Sequence, residues 1–63
     1  MNLKSYYNKH VKIITDNGQM FIGFVDDYFF PENNENGLES ITLKTNDGVY
    51  EFSEEDVYKI EIL

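Results

Sequence analysis

Val11-Lys12-Ile13-Ile14-Thr15-Asp16-Asn17-Gly18-Gln19-Met20-Phe21-Ile22-Gly23-Phe24-Val25 is the stretch that decides the fold. Val11 to Thr15 is rich in β-branched residues, which suit a pleated strand. Asn17-Gly18 accepts positive φ and so reverses the chain tightly. From Gln19 to Tyr28 the chain reads as one long strand, with Phe21, Gly23 and Val25 alternating with Met20, Ile22 and Phe24. Apolar residues on both faces predict that both faces are covered. Gly23 in mid-strand predicts a sharp bend or a close backbone approach. A long strand bent at a glycine is how a small sheet curls into a barrel.

Outward from this unit the same grammar continues. Pro31 to Gly37 is a loop by composition. Ser40 to Thr45 reads as a strand with Ile41 and Leu43 on one face, and Asn46-Asp47-Gly48 as a second tight turn into Val49–Phe52. Ser53-Glu54-Glu55-Asp56 reads as one helical turn, capped by Ser53 with acids in its first turn. Val57 to Leu63 reads as the last strand, with Tyr58, Ile60 and Ile62 on one face. Five short antiparallel strands in 63 residues are too few for a two-layer sandwich. A closed or nearly closed barrel covers its edges and fits the length. The expected fold is all-β: a single domain over residues 1–63, a five-stranded, strongly bent antiparallel barrel. Its predicted core is Val11, Ile13, Phe21, Val25, Ile41, Leu43, Tyr50, Phe52, Ile60 and Ile62.

Composition narrows the chemistry. There is no cysteine and one histidine, His10, which excludes disulfides, thiolate sites and a His-based zinc site within one chain. Met1 to His10 lacks the apolar segment of a signal peptide, and no run approaches the length of a membrane span. A cytoplasmic setting, with no membrane partner, is the expectation. Twelve acidic residues face five lysines, with no arginine, for a net charge of −7. Such a balance repels a polyanion at long range. The acids either keep a small protein soluble or serve a function of their own.

The strand order resembles the SH3-like barrels, and more narrowly the Sm-like (LSM) family. Val11 to Val25 is similar to the first Sm motif: a β-branched strand, a turn glycine, four residues, a second glycine, then an apolar residue two further on. The second half resembles the family in strand order alone. The whole is similar to short Sm-like proteins of Gram-positive bacteria and their phages. By spacing, Phe29 stands where RNA-binding Sm-like proteins carry an aspartate. Ser53-Glu54-Glu55-Asp56 stands where they carry an arginine–glycine pair. The resemblance thus implies the barrel, while nucleic acid is not the expected partner. It also implies rings, in which the fourth strand of one copy pairs with the fifth of the next. The residues on those edges are Val49, Glu51, Val57, Lys59 and Glu61.

No constellation in the sequence points to catalysis. Nothing ties His10 to Ser5, Ser40 or Ser53 as a nucleophile–base pair. Asp26 and Asp27 are adjacent on a strand and point to opposite faces. Glu32, Asn34, Asn36 and Gly37 imitate the start of a calcium loop, but Leu43 stands where the bidentate glutamate belongs. No metal and no cofactor are expected. Tyr28-Phe29-Phe30-Pro31 is more informative, because three successive rings cannot all enter one core. With Phe24, these aromatics are the candidate partner-binding residues. Three functions follow. The first is a non-enzymatic protein-interaction or self-assembly module. The second is an acidic, nucleic-acid-mimicking decoy that inhibits a basic protein. The third is RNA binding, implied by the resemblance.

Overall fold

Gly18 takes φ of +84°, the left-handed conformation that a tight reversal needs, and at this turn the first strand runs into the second. The computed structural model describes Met1–Leu63 and holds five strands. They are β1 (His10–Thr15), β2 (Met20–Phe29), β3 (Ser40–Thr45), β4 (Gly48–Ser53) and β5 (Val57–Ile62). Short 3-10 turns occupy Leu3–Tyr6, Pro31–Asn33 and Glu54–Asp56. All strands belong to one antiparallel sheet, in the order β4-β3-β2-β1-β5.

β2 is shared between two neighbours. Its first half pairs with β1, from Ile14↔Met20 to His10↔Phe24. Its second half pairs with β3, from Phe24↔Lys44 to Phe29↔Ser40. The bend lies between them. A Cβ on Gly23 would stand 2.2 Å from the Lys44 carbonyl oxygen, so glycine there permits a backbone-on-backbone approach. Just beyond, the register slips between Val25↔Leu43 and Asp27↔Thr42, a bulge at Asp26 that adds local twist. The curl brings non-adjacent strands together: the Phe21 ring of β2 lies 5.0 Å from Tyr50 and 5.1 Å from Phe52, both on β4.

Leu3, Val11, Ile13, Val25, Ile41 and Leu43 are fully buried, and Phe52 and Val57 nearly so. Phe21, Tyr50 and Ile60 pack around them half-buried, with Tyr6 and Tyr28. The sheet is bent as a barrel is but not closed, because β4 pairs only with β3 and β5 only with β1. Three expectations need correction. Ile62 is 56% exposed rather than buried. The β1–β5 register slips between Ile14↔Lys59 and Thr15↔Val57, so Tyr58 is an extra residue. That slip puts Val57, not Tyr58, against the core. Finally, β2 is not covered on both faces: Met20 and Ile22 stand 61% and 53% exposed on the outer side.

Candidate functional site

The aromatic run at the end of β2 divides as pleating demands. Tyr28 faces inward beside Ile41, and its hydroxyl donates to Glu39 Oε1 at 2.8 Å. Glu39 is itself buried, and its Oε2 accepts the Leu3 backbone N–H at 3.1 Å. One carboxylate therefore ties the N-terminal turn and β2 to the start of β3. Burial and the adjacent Glu39 carboxylate disfavour the phenolate, which pushes the Tyr28 pKa up to about 12. Phe30 packs edge-on against Tyr28 at 5.2 Å between ring centres. Lys4 Nζ sits 5.1 Å above the Phe30 ring, a cation–π contact. Lys4, Tyr7, Asp27, Tyr28 and Phe30 line a shallow groove here, and Phe30 remains 45% exposed in it.

The other two predicted aromatics lie elsewhere. Phe29 is half-buried opposite Ser40. Phe24 lies on the outer face and packs at a tilt against His10, with ring centres 5.0 Å apart. The bulge at Asp26 separates it from the Tyr28–Phe30 pair.

The edge residues are also distributed. Val49 is 62% exposed on β4. Glu51 is exposed on the same strand, and its Oε2 accepts the Ser40 hydroxyl at 3.1 Å. On β5, Val57 is buried and offers only its backbone. Glu61 Oε1 lies 3.5 Å from Lys12 Nζ and 3.8 Å from Lys59 Nζ.

The remaining polar residues make local contacts. The Asn34 amide donates to the Leu38 carbonyl and the Ser40 hydroxyl, and the Asn36 amide to Ser53. These bonds pin the loop that imitated a calcium site, and no cluster of three or more metal-ligating side chains occurs. The Ser53 N–H donates to Asp56 Oδ2 at 3.0 Å, as the capped turn required. Glu39 and Leu3 escaped the sequence reading. Leu3 and Tyr6 share a face at i, i+3, the one signal that would have flagged a docked N-terminal turn. Comparison with family models, with curated proteins and with solved structures finds no match.

Proposed function

We propose that this chain is a non-enzymatic, Sm-like interaction module that assembles copy on copy through its two free strand edges. The observation that carries this is the sheet order: β4 and β5 each pair on one side only. These are the strands that the Sm-like resemblance pairs between neighbours in a ring. Edge strands are usually blunted by lysine, proline or a covering segment. β4 carries neither residue and exposes Val49, so it is the open edge; β5 exposes Tyr58 but is partly blunted by Lys59 and its bulge. The groove beside Tyr28 and Phe30 is the contact for a protein partner, because its exposed ring has the character of binding hot spots.

Light scattering on a sizing column tests the assembly. The expected mass is a multiple of the 7.4 kDa chain. The pair Val49→Lys and Tyr58→Lys, both at exposed positions, is expected to return it to one chain without loss of fold. A single-chain mass for the wild type at every concentration overturns edge assembly. For the groove, Phe30→Ser is expected to abolish partner binding while the β spectrum and cooperative unfolding persist. If that variant unfolds, the ring belongs to the core. A second reading, the acidic decoy, is favoured by the charge of −7. It predicts binding to a basic protein that weakens steeply with salt.

A further inference from the structure

The outer face of the sheet combines exposed apolar side chains with most of the chain's cations. Register places Met20, Ile22 and Phe24 in one column along β2. Lys12 lies opposite Ile22, Lys44 opposite Phe24, and Lys59 opposite Ile14, itself across from Met20. Three of the five lysines therefore share this patch. Its one acid, Glu61, sits between Lys12 and Lys59, and Lys44 pairs with no carboxylate. Three lysines less one glutamate give the patch +2, which leaves −9 on the rest of a chain of −7. Directly beyond Phe24 come Asp26 in the bulge and the outer row Asp27–Thr42–Glu51, which are acidic again. The basic patch thus has a boundary.

We propose that this face docks an acidic amphipathic helix of another protein, its apolar stripe along Met20–Ile22–Phe24 and its carboxylates on the lysines. Three points of geometry support that occupant. The column is about 14 Å long by strand rise, the length of two to three helical turns. At Phe24, the residue of β2 that pairs with both neighbours, β1 and β3 lie roughly 10 Å apart, about one helix diameter. Lys44 stands on one side of the column, and Lys12 and Lys59 on the other, where carboxylates flanking an apolar stripe would fall. A second copy is a poorer occupant. Face against face it sets +2 on +2, and its acidic row offers no apolar side chains. An extended polyanion fits less well, since beyond the patch it meets −9. The proposal is independent of edge assembly, because it uses a sheet face that a single chain presents.

The probe is a synthetic peptide of about 18 residues, leucine at helical spacing, glutamate beside that stripe and alanine elsewhere, a composition and length that favour a helix. Its counterpart carries lysine in place of glutamate. Amide chemical shifts of the labelled protein are followed during titration. The glutamate peptide is expected to move Met20, Ile22, Phe24 and Lys44, and Ile22→Ser to abolish those shifts. The surface variant Lys12→Glu, Lys44→Glu, Lys59→Glu is expected to weaken the glutamate peptide about tenfold and to prefer the lysine peptide. The proposal is overturned if wild type binds both peptides equally or if shifts fall on the edges or the Tyr28–Phe30 groove. Absence of binding at millimolar peptide overturns it too. So does an oligouridylate that moves the same amides at lower concentration, since it assigns the face to nucleic acid. Light scattering of Val49→Lys, Tyr58→Lys alongside separates failure here from failure of edge assembly.

Discussion

Gly23→Ala puts the origin of the bend to the test. The added Cβ would stand 2.2 Å from the Lys44 carbonyl oxygen, 2.9 Å from its carbon and 3.1 Å from Leu43 Cγ. The two nearest atoms are backbone, so no side-chain rotation relieves the clash. β2 and β3 must part by about 1 Å to reach ordinary carbon–oxygen contact. Overpacking of this kind costs typically about 1–3 kcal/mol. A ladder hydrogen bond lost at Lys44 adds about 1 kcal/mol. The sum, about 2–4 kcal/mol, compares with roughly 3–5 kcal/mol that a core of this size supplies. The variant is therefore expected to melt roughly 10–30 °C lower. Gly18→Ala is the control. Nothing lies within 4 Å of a Cβ there, and only the positive φ is penalised, at about 1–2 kcal/mol. Urea and thermal unfolding followed by circular dichroism measure both. If Gly23→Ala is no more destabilising than Gly18→Ala, the bend does not depend on backbone contact and the reasoning fails.

Leu3→Ala is expected to cost about 2–4 kcal/mol, because Leu3 is fully buried although it precedes every strand. An unfolding midpoint close to wild type would show that the N-terminal turn does not dock. Glu39→Leu leaves the Leu3 N–H and the Tyr28 hydroxyl without their acceptor, an expected loss of about 1–3 kcal/mol in urea unfolding. Glu39→Gln keeps an acceptor and is expected to lose less. The Tyr28 phenol titrates at about 12 when folded, above its ordinary 10.0. Its contribution to stability is therefore complete below pH about 10 and lost as pH rises toward about 12. Tyrosinate absorbance should show a late-titrating component that shrinks in Tyr28→Phe, the remainder coming from Tyr50, which the Asp47 carboxylate also raises. A single transition at the ordinary value for all five tyrosines would contradict the buried hydrogen bond.

Most of the backbone was legible because local signals agreed. Asn17-Gly18 and Asp47-Gly48 fixed both hairpins, and alternation fixed the inward faces of β1, β3 and β4. Gly23 announced a close approach that is indeed present. What escaped was set by contacts between distant residues. The slip at Tyr58 depends on how β5 meets β1, and period-two reading assumes no slip. Leu3 is isolated among polar neighbours, so its burial is visible only once the turn of residues 3–6 folds onto the sheet. Glu39 looks like one more surface acid until Leu3 and Tyr28 converge on it. Both faces of β2 are apolar, a pattern that predicts double burial. The outer face instead lies open, and the lysines around it are scattered in sequence at 12, 44 and 59. Only the register shows them as one patch.

The charge distribution gives the two proposals opposite responses to salt. Copies that each carry −7 repel one another at long range, and this repulsion weakens as the Debye length shrinks from about 10 Å at 0.1 M to about 3 Å at 1 M. Edge pairing draws on backbone hydrogen bonds and on Val49 and Tyr58, which screening leaves largely intact. Assembly through β4 and β5 is therefore expected to strengthen as salt rises. Docking of an acidic helix on Lys12, Lys44 and Lys59 draws on attraction that the same ions screen, so it is expected to weaken. One salt series, read by light scattering for mass and by amide shifts for the peptide, separates the two surfaces in a single preparation. Assembly that dissolves with salt would place ion pairs, not strand edges, at the contact between copies. Peptide binding indifferent to salt would reduce the basic patch to apolar adhesion.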